Sequence, residues 1–433
     1  MNGCSDHGCE WREERTKPWP RSMQRAIALA SMLTGLFVLG TPACRRAATS
    51  EAKVDLGTIR SHPLGSSELH VLLDGCAYGG MSIIHGATFV HAIKTDAVNP
   101  VPFALHVLAS GEIDIKSSGF GDNVSGTFGL SAWLRSRRKA DPPEFGFQRW
   151  SGSKWIEDPS IPSTVLGWMP WRDQALIRIE RIEPHGTRVS TEAGDSIPPG
   201  FTAPPELAHI DIDGWASLPS AQTLVIKGAL NGQAGYTLVA GATTGFFSNE
   251  VGGSEQAVSR SCKRILISQW IPKPGLPAVR AVRVLNGKIS PGEELPEQPA
   301  HLAIDPRCHE WMVSPEGALY EHEALSAPWR RIALLGEQDA PPFPGLAVLG
   351  DDVWVSAGSS LYVVRLGAPR KVALPASLRP ANYSYWLTPD EENDRLWVVA
   401  IPINENRATI LTTGPVARSW HCEELPWEPQ LAQ

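Results

Sequence analysis

The sequence predicts an all-β fold made of many short strands, and three features of its composition support this prediction. The 433 residues include 37 prolines, and because proline disrupts the interior of a helix, this density leaves little room for long helices. The 39 glycines supply turns between short strands. Hydrophobic residues make up 42% of the chain, enough for a large core. A disordered chain is therefore excluded, and a helical bundle is disfavoured.

A repeat marked by tryptophan organises the C-terminal third. Trp311, Trp354 and Trp397 are 43 residues apart in both steps. Each follows a short apolar run and an acidic turn, and each precedes a turn and two more short strands. Four short strands in about 43 residues match the length of a propeller blade. The segment 300–420 thus resembles β-propeller proteins as a class, without matching a particular subfamily.

The repeat extends toward the N-terminus. Trp171 and Trp215 are 44 residues apart, Ile265–Ile267 fits one further blade, and residues 61–160 supply one or two. We therefore predict a single β-propeller over 61–433 with about seven four-stranded blades, in a range of six to eight.

Packing and closure of this ring follow from the same pattern. The tryptophans are expected to fill the wedges between neighbouring blades. Ala417–Cys422 is expected to form the last strand of the repeat. Ser66–Gly75 is expected to complete the last blade and close the ring, which would remove exposed sheet edges.

The N-terminal region predicts export. Ala26–Gly40 is a short apolar run that follows Arg21 and Arg25, and small residues come after it, as in a secretory signal. Met23 would begin a conventional signal, so residues 1–22 are interpreted as a possible mis-assigned start and 23–43 as the signal peptide. Residues 44–60 are interpreted as a tether, because the segment Arg45–Lys53 is polar and small.

The end of this signal allows two kinds of processing. Residues 23–44 resemble a bacterial lipoprotein signal, with Ala43 before the cleavage site and Cys44 after it as the lipidated residue. Ordinary signal-peptidase cleavage after Ala43 is the alternative. The resemblance implies a lipid anchor at the outer membrane. The rest of the sequence has no apolar run of eighteen residues, so we expect any membrane attachment to be by this anchor and not by a span. The predicted location is the bacterial cell envelope, with the protein outer membrane-anchored or else periplasmic or secreted.

Four cysteines remain if Cys44 carries lipid. Cys76, Cys262, Cys308 and Cys422 form an even set that can make two disulfides in an oxidising compartment. Without lipidation a fifth cysteine, Cys44, would be left unpaired. The spacing leaves the connectivity open.

Known catalytic motifs are missing from the sequence, and we predict no catalytic residues, no metal site and no cofactor. The acidic segments Asp211–Gly214 and Asp390–Asp394 have oxygen ligands but lack the spacing of a calcium loop, so they are interpreted as solvated turns. The net charge of −7 argues against a nucleic-acid partner.

One region is a candidate ligand surface. The basic run Arg135–Lys139, interpreted as a loop, could contact anionic groups, and nearby tryptophans could stack on sugars or extended peptides. Solvation of the arginines and packing of the rings are the competing interpretations. The candidate residues are Trp133, Arg135, Arg137, Arg138, Trp150 and Trp155.

These observations favour a monomeric, exported binding or scaffold module without enzymatic activity, whose loops contact an envelope protein or glycan. The alternative is a propeller hydrolase or lyase with its site at the central channel.

Overall fold

The computed structural model describes the chain from Glu68 to Leu425 with internal gaps. The gaps are 85–86, 95–100, 121–122, 127–131, 140–143, 162, 164, 173–174, 182–186, 193–209, 219–222, 231–232, 241–242, 249–254, 260, 272–277, 286–287, 324–326, 337–343, 366 and 379–381. The predicted signal peptide, Cys44 and the tether lie outside the described residues. No helix among the described residues is long and apolar enough to cross a bilayer.

The described strands form antiparallel sheets in chain order, which we number as blades 1 to 8. The strands of blades 1 to 4 are β1 (His70–Ile84), β2 (Ala87–Lys94), β3 (Val101–Val107), β4 (Ile113–Phe120); β5 (Asn123–Gly126), β6 (Ala132–Lys139), β7 (Glu144–Trp150), β8 (Trp155–Glu157); β9 (Val165–Arg172), β10 (Ala175–Arg181), β11 (Thr187–Glu192); and β12 (Ile210–Leu218), β13 (Thr223–Leu230), β14 (Gln233–Ala240), β15 (Thr243–Ser248).

Blades 5 to 8 follow the same plan, and a two-residue strand comes after them. Their strands are β16 (Gln256–Ser259), β17 (Arg264–Ile271), β18 (Ala278–Leu285), β19 (Lys288–Glu294); β20 (His301–Ile304), β21 (Glu310–Val313), β22 (Ala318–His322), β23 (Arg330–Leu334); β24 (Gly345–Leu349), β25 (Asp352–Ala357), β26 (Ser360–Arg365), β27 (Ala368–Lys371); β28 (Tyr383–Asp390), β29 (Arg395–Pro402), β30 (Ala408–Thr412); and β31 (Trp420–His421).

The side chains of the second and third strands of a blade are more buried than those of its outermost strand. Every residue of β21 and β22 is buried, whereas β23 of the same blade is mostly exposed. A sheet covered on both faces needs apolar residues in succession and not in alternation. The run Ile265–Ile267 in β17 has this character, and all three of its residues are fully buried.

The tryptophans of the repeat pack between blades, as predicted. Trp311, Trp354 and Trp397 occupy the second strands of blades 6, 7 and 8, with exposed fractions of 2%, 3% and 0%. Trp311 contacts the apolar cluster of blade 7, Trp354 that of blade 8, and Trp397 that of blade 1. Each ring fills the space between its own blade and the next one.

The N-terminal strand closes the ring. Residues 70–76 of β1 pair with β30 of blade 8, and residues 77–84 pair with β2 of blade 1. One continuous strand is thus the fourth strand of the last blade and the first strand of blade 1. This pairing confirms the prediction for Ser66–Gly75 within its described part. The segment Ala417–Cys422 was wrongly predicted as a fourth strand, because β1 already holds that position and only β31 pairs, in parallel, outside it.

The blade count and the register of the early repeat differ from the sequence estimate. The described sheets correspond to eight blades, the upper end of the predicted range. Trp215 lies on the first strand of blade 4 and not on the second. The acidic segment Asp211–Gly214 is part of β12 and not a turn. A β-bulge between Ile212 and Gly214 shifts the register there without ending the strand.

A glycine turn illustrates how tightly adjacent strands approach. The amide of Gly317 donates to the carbonyl of Ser314 at 2.9 Å between β21 and β22. Gly317 has a φ of 83°, and a Cβ there would lie 2.3 Å from the carbonyl oxygen of Leu335. Both the left-handed backbone and this approach require glycine.

Candidate functional site

The basic run Arg135–Lys139 forms part of a strand, so its interpretation as a loop was wrong. It lies in β6, which pairs with β5 on one side and β7 on the other. Leu134 is fully buried and Phe147, the register partner of Arg135, is 2% exposed. Burial of these apolar residues fixes the strand register despite the charges. Trp133 and Arg137 lie along the same strand, and Arg138 lies where the register shifts.

The other two candidate residues belong to an aromatic cluster between blades 1 and 2. Trp150 is 5% exposed, and its ring centroid lies 5.2 Å from that of Phe89 and 4.9 Å from that of His106. Trp155 lies 5.3 Å from Trp150 and 5.2 Å from Phe89. The rings pack directly against one another, so these two tryptophans contribute to the core between the blades. Trp150 and Trp155 thus follow the competing interpretation, in which the rings are packed, and the ligand surface stays a prediction for the other four candidates.

The cysteines lie at two boundaries of the ring. Cys76 in β1 is bonded to Cys422, 346 residues away, beside the closing strand. Cys262 is bonded to Cys308, and these residues lie in the turns between the first and second strands of blades 5 and 6. Each disulfide thus joins segments that would separate if the ring opened there.

A buried ionic network lies beside the second disulfide. Glu310 at the start of β21 is fully buried and receives hydrogen bonds of 2.6 to 3.0 Å from Arg283 of β18. Arg264 of β17 donates to the same carboxylate at 2.8 Å, and Nδ1 of His322 lies 3.1 Å from it. Arg283 also donates to Glu293 at 2.7 and 2.9 Å. The network joins three strands of blade 5 to two of blade 6.

The surroundings of Glu310 keep it ionised. Burial alone would raise its pKa, but hydrogen bonds from His322 and Arg283, with the charges of Arg283 and Arg264, lower the pKa to about 2. The pKa of Arg283 is raised, because its bonds to the two glutamates outweigh its own burial. The carboxylate of Glu310 is saturated with donors, so it serves as an anchor between blades.

Asp305 organises the turn that leads into Glu310. Its buried carboxylate accepts the amides of Arg307 and His309, both at 2.9 Å, and the indole N–H of Trp311 at 3.2 Å. Cys308 in this turn has a φ of 68°, which is uncommon for a residue other than glycine. The Asp305 carboxylate and the disulfide together fix the turn, and hence the positions of Arg307 and His309.

These two side chains line a groove between blades 6 and 7, which we call the blade 6–7 groove. The turn between β20 and β21 and the end of β22 meet there. In an antiparallel sheet, the connection between the first and second strands and the connection between the third and fourth lie at the same end of the blade. The cavity has a volume of about 390 Å³. Its lining residues are Arg307, His309, Trp311, Glu321, Glu323, Arg330, Asp351, Val353, Val364 and Gly367.

Polar contacts within the groove hold its charged side chains in place. Nδ1 of His309 lies 3.0 Å from Glu321, whose carboxylate also receives a 2.6 Å hydrogen bond from Arg330. Arg330 contacts Glu323 at 2.9 Å, and Arg307 donates to Asp305 at 3.0 Å. Glu321 and His309, which are 7% and 22% exposed, are thus held in position, while Arg330 and Glu323 lie at the exposed rim.

A second cavity, of about 480 Å³, lies at the closing strand. It is bounded by the start of β1, by residues 373–377 after β27, and by Val416 and Ser419. Its only residues with charged or titratable side chains are Glu68 and His70. The blade 6–7 groove is the better candidate site, because several charged and polar side chains from two blades converge on it.

Sequence reasoning missed the blade 6–7 groove. Its residues come from a turn, two strands and the neighbouring blade, so no local motif joins them. The one local signal was the repeated acidic turn before each tryptophan, which includes Asp305 and Asp351. The predicted solvation of Asp390 was wrong, since its carboxylate is fully buried and accepts from Thr88 and Asn393. Within the described part of the chain, no three potential metal ligands lie together.

Comparisons with known proteins concern the fold. No protein-family model matches the sequence, and no curated protein matches it. Among solved structures, the β-propeller domain of the Trilobed protease from Pyrococcus furiosus is similar, with a TM-score of 0.41 and 9% identity, over 78% of this chain and 95% of that one. YCF48 bound to D1 peptide has a TM-score of 0.40 and 12% identity, over 66% of this chain and 91% of that one.

The tricorn protease is also similar, with a TM-score of 0.40 and 9% identity over 76% of this chain. This chain spans 42% of the tricorn chain. Proteins of similar fold thus include proteases and a protein bound to a peptide, and likeness at this level of identity concerns the fold alone.

Proposed function

We propose that the protein is an exported binding module without enzymatic activity, and that the blade 6–7 groove binds its partner, a protein or glycan of the cell envelope. The observation that carries the proposal is the set of oriented charged side chains in this groove. Glu321 holds His309 and Arg330, and Asp305 holds Arg307.

Export is supported by the signal-like segment 23–43 together with two disulfides, which are typical of oxidising compartments. We propose that Cys44 carries the lipid anchor. Intact mass of the membrane fraction tests this: the wild-type protein should begin at Cys44 with added acyl mass, and Cys44→Ser should move to the soluble fraction. An unmodified Cys44 in the membrane fraction would refute lipidation.

The binding site is tested by capture from a detergent extract of the source cell's envelope. Asp351→Trp places a large ring at the exposed rim of the groove and leaves the buried network intact. Glu405→Trp is the matched control, since Glu405 is an exposed acid in a turn of blade 8. Wild type and Glu405→Trp should capture the same envelope component, and Asp351→Trp should lose most of it.

Equal capture by all three proteins would show that the partner binds elsewhere, and no capture by any of them would remove the support for a binding function. Turnover of an envelope glycan or peptide by the wild-type protein would favour the hydrolase or lyase alternative.

A further inference from the structure

We infer that the blade 6–7 groove binds a cationic side chain, the guanidinium or ammonium group of an arginine or lysine in an extended partner peptide. This inference rests on the proposed binding function and names the chemistry of the ligand.

The charge of the groove is the first step. Three carboxylates, from Glu321, Glu323 and Asp351, face two guanidinium groups in the lining. Arg307 is already compensated by Asp305 behind it. Arg330 is compensated by Glu321 and Glu323. The local charge left without a counter-ion is therefore negative.

The side chain that carries this charge is Asp351. It is exposed at the turn between β24 and β25 of blade 7 and lines the groove opposite blade 6. No contact of its carboxylate with a described residue is found, whereas the adjacent Asp352 pairs with Arg365. An exposed carboxylate beside a preformed cavity can pair with an incoming cation without breaking an internal contact.

His309 forms part of the wall of the groove on blade 6. Its Nδ1 lies 3.0 Å from Glu321 and 3.8 Å from Asp305, and its side chain is 22% exposed. Glu321 and Asp305 thus hold the imidazole in place, so Asp351 on the opposite side is the carboxylate that stays open to a ligand.

The size of the groove fits a long basic side chain. Val353 and Val364 lie beneath the groove and are 1% and 2% exposed, so they close its floor and leave the contacts with a ligand to the polar side chains. A volume of about 390 Å³ is near the lower end of the roughly 300–1,000 Å³ usual for ligand sites. It suits one side chain with its neighbouring backbone.

The test is fluorescence anisotropy with labelled glycine-rich hexapeptides that carry one central arginine, lysine, glutamine or glutamate. Wild-type protein should bind the arginine and lysine peptides, bind the glutamine peptide at least about tenfold more weakly, and show no binding of the glutamate peptide. Affinity should fall as salt is raised. Equal binding of all four peptides, a preference for glutamate, or no binding up to millimolar concentration would overturn the inference.

Two substitutions assign the effect to the groove. Asp351→Asn should weaken the arginine peptide by about threefold to tenfold, and Asp351→Lys should abolish binding. Glu405→Gln, which removes an exposed acid from another blade, should change affinity by less than about twofold. Unchanged melting temperatures will show that the variants are folded. Unchanged affinity in Asp351→Lys would contradict the inference.

The two proposals fail separately. If Asp351→Trp abolishes capture of the envelope component while the basic peptides do not bind, the groove is a binding site for another chemistry. The proposed function then stands and the cationic ligand is rejected. If the peptides bind as expected but Asp351→Trp leaves envelope capture intact, the ligand chemistry stands and the proposed physiological site is rejected.

Discussion

At the scale of single residues, the three tryptophans of the repeat share a position but differ in hydrogen bonding. Trp311 donates its indole N–H to Asp305 at 3.2 Å. The indole nitrogens of Trp354 and Trp397 are buried without a hydrogen-bond partner among the described residues. The same ring therefore packs between blades in all three places, but in blade 6 it also supports the turn that lines the groove.

This difference predicts unequal costs of replacing tryptophan by phenylalanine. Trp311→Phe removes a hydrogen bond and leaves the buried carboxylate of Asp305 with one donor fewer. Trp354→Phe removes only an N–H that has no hydrogen-bond partner among the described residues. We expect the free energy of unfolding to fall by about 1 kcal/mol more in Trp311→Phe. Urea unfolding of the two variants measures this, and an equal or larger loss in Trp354→Phe would contradict it.

Glu310 links blades 5 and 6 through its buried carboxylate. Glu310→Gln would leave Arg283 and Arg264 near a neutral group in a buried site. The expected loss is about 3–5 kcal/mol in the free energy of unfolding at neutral pH. Glu424→Gln is the control, because its partner Arg418 is 57% exposed, and it should lose no more than about 1 kcal/mol.

Because Glu310 is ionised in the folded protein, we expect the free energy of unfolding to depend on pH. The folded pKa of Glu310 is lowered to about 2, below its value of 4.5 in the absence of the fold. Its contribution is therefore fully present above pH 4.5 and is lost as the pH falls toward 2. The difference in unfolding free energy between wild type and Glu310→Gln should shrink over this interval. A difference that stays constant would show that ionisation of Glu310 does not stabilise the fold.

At the scale of elements, the turns and strands show which features a sequence can reveal. The second strands of blades 6 to 8 were predictable, because a tryptophan, its acidic turn and its apolar neighbours are close in sequence. Strand β6 was not predictable, because its run of arginines indicates a solvent-exposed loop. The burial of Leu134 and Phe147 determines its pairing instead. The groove was not predictable either, since Glu321, Arg330 and Asp351 meet only after two blades have packed.

The two disulfides differ in the length of chain that they close. Cys76–Cys422 spans 346 residues, and Cys262–Cys308 spans 46. If the bonds act by restricting the unfolded chain, replacing the first pair by serine should cost roughly 2 kcal/mol more than replacing the second. Unfolding of the two double variants under non-reducing conditions measures the order. A larger loss from Cys262→Ser with Cys308→Ser would point to local effects in the turn instead.

At the scale of the whole molecule, the chain is a ring whose first strand completes its last blade. Trp397 and the apolar residues of β1 and β2 form one cluster across this junction. The hydroxyl of Thr409 donates to Asp74 at 2.6 Å within the same pairing. The ring thus begins and ends in one blade.

The central claim is that the protein is an exported ring closed by its own N-terminal strand, and disulfide mapping tests it most directly. Protein recovered from the cell envelope under thiol-blocking conditions would be digested without reduction and analysed by mass spectrometry. The account predicts one linked peptide pair containing Cys76 and Cys422 and another containing Cys262 and Cys308. Free thiols at these four positions, or a bond between Cys76 and Cys262, would contradict it.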